Sequence, residues 1–171
     1  MDGKTNSELM VLVDAAMAEA VRKSGPWVVC RPGCTPCCHG HFGISKSDAR
    51  RLREGLADLQ DRDPTRAALV QERAREVVAR QRELADDEPC PVLDPETGTC
   101  DLYSARPITC RVFGPAVRGA GGEIGVCELC YHGASDDEIA ACAVDLDLEA
   151  FDAGDSEETS MADCLAGDNG S

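Results

Sequence analysis

The sequence predicts a mainly α fold. It reads as a small helical domain over 1–153, with two irregular cysteine-rich loops, 27–44 and 88–133, gathered around a metal site. An acidic disordered tail, 154–171, follows. Three observations predict this. Apolar residues recur at helical spacing in four segments. Nine of the eleven cysteines fall in the two loops. The negative charge is concentrated at one end: fourteen acidic residues lie between Glu123 and Asp168 with no Lys or Arg among them, whereas residues 1–118 are balanced to within one charge.

The first helix is expected over 6–23. Asn6 or Ser7 caps it, Leu9, Leu12, Val13, Ala16, Met17, Ala20 and Val21 form its stripe, and Gly25-Pro26 ends it. A second begins at Ser45 or Ser47, with Ala49, Leu52, Leu56 and Leu59 on one face. Asp63-Pro64 places a cap before a proline at the first helical position. It opens a third helix to about Leu84, with Leu69, Val70, Arg73, Val77, Val78 and Leu84 as the stripe, so that the two form an antiparallel hairpin. The last helix is expected from Ser135 to about Phe151, with Ile139, Ala143, Leu146 and Ala150 inward and Cys142 a small core residue. Strand signals are short, at Val28-Val29 and Pro91-Val92-Leu93. The segment from Gly154 onward is small, polar and acidic, and reads as disordered with Cys164 free within it.

The formal charge of −15 argues against a nucleic-acid partner, which needs a basic face for phosphates, and against anionic lipid. No apolar run reaches the length of a membrane span, and the first residues lack the charged and apolar regions of a secretory leader. The expected compartment is therefore the cytoplasm, where thiols stay reduced and clustered cysteines point to metal rather than to disulfides. An odd cysteine count agrees.

The first cluster, Cys30-Arg-Pro-Gly-Cys34-Thr-Pro-Cys37-Cys38-His39, has the spacing C-x3-C-x2-C-C. A C-x2-C unit turns the chain so that two sulfurs converge on one ion. Adjacent Cys37 and Cys38 diverge in extended chain and serve different ions, or different corners of a cluster. In the second loop Cys90, Cys100 and Cys110 are evenly spaced, and Cys127-Glu-Leu-Cys130 is a further C-x2-C unit. The turn Asp94-Pro95-Glu96-Thr97-Gly98 predicts a small hairpin that brings Cys90 and Cys100 together. The candidate metal ligands are thus Cys30, Cys34, Cys37, Cys38, Cys90, Cys100, Cys110, Cys127 and Cys130. His39, His41 and His132 are read as neighbours rather than ligands, and Tyr103 and Phe113 as packing around the site. Arg106-Pro107 opens a short helix with Cys110 on its inner side. Arg31, Arg106 and Arg111 are placed to offset thiolate charge.

The run GCTPCCHG, followed by CPVLDPETGTCDLYSARPITCRVFGP, resembles the YkgJ-like cysteine-cluster family, described as zinc- or iron-chelating proteins with a CxxCxxCC signature. The resemblance spans roughly residues 27–133. It implies that Cys34, Cys37, Cys38, Cys90, Cys100 and Cys110 occupy the family's motif positions. Cys30 matches the leading cysteine, with three intervening residues where the signature implies two. The later cysteine is Cys127 or Cys130. Flagellin lysine methylases carry a similar module. The glycine-rich Arg118-Gly-Ala-Gly-Gly122 reads as a turn rather than an adenosylmethionine site, so methyl transfer is not carried over.

Sulfur-only ligation excludes hard cations such as Mg and Ca and leaves zinc or an iron–sulfur cluster. The Cys37-Cys38 doublet tilts the reading toward iron–sulfur. The leading function is a metal-binding module. The alternatives are an enzyme or redox component using the cluster as cofactor, and a thiol-based metal store or carrier. No catalytic motif and no protein partner is identified.

Overall fold

In the computed structural model, the structure describes residues 6–80, 87–147 and 158–167. These fall into two compact units, the first from 6–31 and 108–147, the second from 32–107 and 158–167. Among the described residues there are six α-helices and seven short strands. No helix among them is long and apolar enough to cross a membrane.

The first unit opens with α1, Asn6–Ser24. Its buried line is Val13, Met17, Ala20 and Ser24, while Leu12 and Val21 of the expected stripe are exposed. It packs against α4, Ile108–Arg111, and α5, Asp136–Cys142. The unit also holds a three-stranded sheet ordered β5-β4-β6: β4, Val117–Arg118, is antiparallel to β5, Ile124–Gly125, and parallel to β6, Val144–Asp145. Val13, Met17, Val117 and Leu146 form one core cluster. Ala116, Cys130, Tyr131, Cys142 and Ala143 form another, against Trp27 and Val28. Tyr131 holds this second cluster in a left-handed conformation at φ 59°, which costs a bulky residue strain. Its hydroxyl has two partners inside the core. It accepts from the Ala116 N–H at 2.8 Å. It also meets Ser24 Oγ at 2.5 Å, and because Ser24 Oγ donates to Ala20 O at 2.6 Å, the tyrosine is the donor of that pair.

Helix α5 begins as expected. Ser135 accepts from the Glu138 N–H at 3.3 Å and its own N–H donates to Glu138 Oε2 at 2.8 Å, a reciprocal capping box. It ends earlier than its apolar spacing implies. After Cys142 the chain extends, Val144 N–H reaches Ala116 O at 3.2 Å and Leu146 N–H reaches Arg118 O at 2.9 Å. Sheet pairing therefore overrides the helical period, and Leu146 is buried from an extended segment. The remainder of that expected helix, 148–151, lies outside the described residues.

The second unit is built on the predicted hairpin of α2, Lys46–Arg62, and α3, Pro64–Arg80. Ser45 Oγ caps α2 by accepting from the Asp48 N–H at 3.2 Å. Asp63 Oδ1 accepts from the Arg66 N–H at 3.0 Å ahead of Pro64. Ala49, Leu52 and Leu59 face Ala67, Val70, Ala74 and Val77, all buried; Leu69 is exposed. Gly55, mid-helix, is required by close approach, since a Cβ there would lie 2.4 Å from Ala105 Cβ. The expected continuation of α3 to Leu84 falls on residues outside the description.

The expected disordered tail is corrected for residues 158–167. β7, Glu158–Ser160, pairs antiparallel with β1, Gly43–Ser45, with Ile44 opposite Thr159. It leads into α6, Met161–Leu165, which packs on α2 and α3. Met161, Ala162, Cys164 and Leu165 are buried, and Ser160 Oγ caps the helix from the Asp163 N–H at 3.0 Å. One apolar turn with its own cap is enough to dock an otherwise acidic segment.

Candidate metal centre

The expected Cys90–Cys100 hairpin is present. β2, Leu93–Asp94, pairs with β3, Thr99–Cys100, with Leu93 opposite Cys100; Val28-Val29 forms no strand. The Asp94 carboxylate builds the turn, accepting from the Glu96 N–H at 2.9 Å and the Thr97 hydroxyl at 2.8 Å. Arg66 of α3 adds an ion pair to it at 2.6 Å. These hydrogen bonds, the Glu96 N–H first and then Thr97 and Arg66, hold the Asp94 pKa down at about 2 against an ordinary 3.8. A carboxyl more acidic when folded stabilises the fold above the unfolded value and loses that contribution as pH falls through the folded one. The denaturant midpoint of the native chain is therefore expected to fall toward that of Asp94→Asn between pH 4 and pH 2, checked by urea titrations across that range. A gap that stays constant with pH would refute this role.

The hairpin is tied to α3 by a second arginine. Arg73, read as part of an apolar stripe, donates to Pro91 O at 2.8 Å and to Asp101 Oδ2 at 2.6 Å, while Arg66 reaches Asp101 Oδ1 at 2.8 Å. The Asp101 side chain is 2% exposed, so these bonds compensate a charge that burial alone would penalise.

The first cysteine loop joins the same hairpin. Cys90 N–H donates to Cys38 O at 2.8 Å, and Gly40 N–H to Glu88 O at 2.8 Å. Gly98, at φ +66°, sits so close to the other loop that a Cβ would meet Gly33 Cα and the Thr35 side chain, each at 3.3 Å. Cys37 and Cys38 lie on a single 3-10 turn, Pro36–Cys38. Their thiols are hydrogen-bonded to each other. This bond favours the Cys37 thiolate, with help from the charges of Arg106 and His39, and lowers its pKa. The Cys38 thiol is pushed up by the same bond, then by burial, then by the negative charges of Cys37, Cys90 and Cys100. Burial raises Cys100 against the pull of the Leu102 N–H and Arg106. Cys37, Cys38, Cys90 and Cys100 thus lie within electrostatic reach in the second unit, with Arg106 nearby as expected. Cys34 stands half-buried between Gly33 and Thr35. His39 Nδ1 is bonded to Thr35 O at 2.9 Å. Because a carbonyl only accepts, that nitrogen carries the proton.

Cys30, Cys110, Cys127 and Cys130 belong to the first unit. Cys30 Sγ rests against Gly114, where a Cβ would come within 2.8 Å of it, and Cys127 N–H donates to Gly114 O at 3.1 Å. Cys110 is half-buried on α4, within the short helix that Arg106-Pro107 is expected to open. Cys130 is buried in the Tyr131 cluster. Arg111 donates to both carboxylate oxygens of Asp14, at 2.7 and 2.9 Å. Tyr103 and Phe113 are exposed rather than packed, and the guanidinium of Arg106 lies 3.6 Å over the Tyr103 ring. Cys142 is a core residue as expected. Cys164, expected to lie free in the tail, is also buried, with its thiol donating to Ala49 O at 3.3 Å.

None of the eleven cysteines is joined in a disulfide. Among the described residues, no three Cys, His, Asp or Glu side chains stand in ready-made coordinating geometry. The chemistry of the donor set nonetheless fits zinc or iron: Cys37, Cys38, Cys90 and Cys100 offer soft sulfurs, and the charge of Arg106 acts on Cys37 and Cys100.

Residues 29–143 match the family described as "CxxCxxCC: Putative zinc- or iron-chelating domain". No curated protein and no solved structure matches the chain.

Proposed function

The chain belongs to the CxxCxxCC family, and from that membership we propose that it is a metal-binding module whose cysteine thiolates hold zinc or an iron–sulfur cluster, with Cys37, Cys38, Cys90 and Cys100 at the heart of the centre. One observation carries this reading. Two loops far apart in sequence are bonded to each other at the cysteines themselves, Cys90 N–H to Cys38 O at 2.8 Å, beside a hairpin in which Cys100 lies opposite Leu93. A cation relieves the repulsion between neighbouring thiolates, and metal binding to such sites releases protons and adds to folding stability. When bound, the metal supplies cross-linking of the two loops. The chain's own residues bond the loops edge to edge, anchor the hairpin to α3 through Arg66 and Arg73, and place positive charge beside the sulfurs through Arg106.

Elemental analysis with a visible spectrum on anaerobically purified protein tests this. The expected result is about one metal equivalent or more per chain, strongly reduced in a Cys38→Ser, Cys90→Ser variant that keeps its helical circular dichroism. Colour in the visible bands identifies iron–sulfur and colourless protein with zinc identifies the ion. Metal-free protein that takes up neither zinc nor iron on reconstitution overturns the proposal.

A further inference from the structure

We propose that Met161 supplies a thioether sulfur to the cysteine cluster, so that its Cys90 corner accepts a soft monovalent ion of the copper(I) class. This rests on the reading that the cluster binds metal and goes beyond it by naming a donor and an ion. Met161 lies outside the segment, 29–143, that matches the family.

The Cys90 Sγ stands 3.2 Å from the Met161 Sδ. Both side chains are buried, at 6% and 2% exposure, so the two sulfurs meet away from water. Backbone bonds fix the approach from both sides. Met161 is the first residue of α6, its N–H donates to Phe42 O at 3.0 Å, and Ser160 caps the helix it opens. Cys90 is held to Cys38 by its own N–H. Three sulfurs, those of Cys38, Cys90 and Met161, are therefore carried on backbone segments bonded in place.

A thiol proton is a poor occupant of the space between two sulfurs, because the thioether is only a weak acceptor. A soft ion replaces it with balanced charge: the Cys90 S–H bond breaks, a sulfur–metal bond forms, and one proton leaves to solvent. The thioether then adds a second soft donor without adding negative charge to an already crowded cluster. Thiolate and thioether together select soft ions over hard ones. Met161 also lines a cleft of about 110 Å³, together with Gly40, His41, Phe42, Pro89 and Pro91.

The test uses the full chain labelled with methyl-13C methionine. It has four methionines, so the spectrum is simple, and Met161→Leu, which conserves volume, identifies the Met161 signal by its disappearance. The probe is silver(I), a redox-inert ion of the same softness. On adding one equivalent, the Met161 methyl is expected to shift while the signals of Met10 and Met17 stay. Met161→Leu is expected to bind silver(I) about tenfold more weakly in competition with glutathione. Silver(I) that binds while the Met161 methyl stays in place, or binds equally to the variant, overturns this inference and leaves the metal-binding reading standing. A chain that binds neither silver(I) nor zinc overturns both.

Discussion

Zinc-loaded protein is expected to melt roughly 5–10 °C above the metal-free chain at a free zinc concentration about a hundredfold over the dissociation constant, and a Cys38→Ser, Cys90→Ser variant is expected to lose that rise. The size follows from linkage. A ligand at that excess stabilises the folded state by about 2.7 kcal/mol, and each kcal/mol shifts a chain of this length by about 2–4 °C. What melts first follows from the packing. The core of the second unit is Leu52, Leu59, Val70, Val77 and Leu165, none of which touches metal chemistry. Removing the ion should therefore leave helical circular dichroism nearly intact. The amides that join the two loops, Cys90 N–H to Cys38 O and Gly40 N–H to Glu88 O, are the ones expected to exchange faster. Scanning calorimetry paired with hydrogen exchange checks both parts. An equal melting temperature with and without bound zinc, or collapse of all helicity on chelation, contradicts this picture.

The sequence made the hairpin of α2 and α3 legible because capping signals and apolar period agree there. Ser45 and Asp63 fall where helices must begin, and Ala49, Leu52, Leu59, Val70 and Val77 fall where a buried stripe must run. The cysteine loops were legible on different grounds: thiols clustered outside helices have no packing role to fill there and point to a shared ion, and the Asp94–Gly98 turn fixes a hairpin locally. Besides the docked C-terminal segment and the exposed Tyr103 and Phe113, three pairings escaped. Ala143 and Leu146 continue the helical period of α5, yet the chain there extends, and the Val144 and Leu146 N–H groups bond Ala116 and Arg118, far away in sequence. Arg73 falls on the stripe of α3 by its spacing alone. Its partner, Asp101, is buried and distant, and no periodicity reports such a pair. Asp14 likewise pairs with Arg111, distant in sequence, and no local pattern reports that contact. Each miss is a long-range contact overriding a local rule.

Leu165→Ala is expected to destabilise the protein by about 2–5 kcal/mol, the cost of emptying a leucine site that cannot fully collapse. Its measure is the urea midpoint, with Leu129→Ala, at an exposed position, expected to stay within about 0.5 kcal/mol of the native chain. The comparison decides what the C-terminal segment is. Averaged over 154–171, composition says disorder, because acidic and small residues outnumber apolar ones. Residue by residue, Ser160-x-x-Asp163 is a capping pattern that encloses and precedes four apolar or small residues, Met161, Ala162, Cys164 and Leu165. All four are buried, and Leu165 is 0% exposed. A single helical turn is too short to be stable alone, so its order derives from the surface that α2 and α3 offer it and from the pairing of β7 with β1. If Leu165→Ala leaves the midpoint unmoved, that turn is not docked, and the contact between Met161 and Cys90 falls with it. If the full cost appears, the segment is a working part of the unit that carries the cysteine hairpin, and the acidic residues around it serve as its solvated exterior.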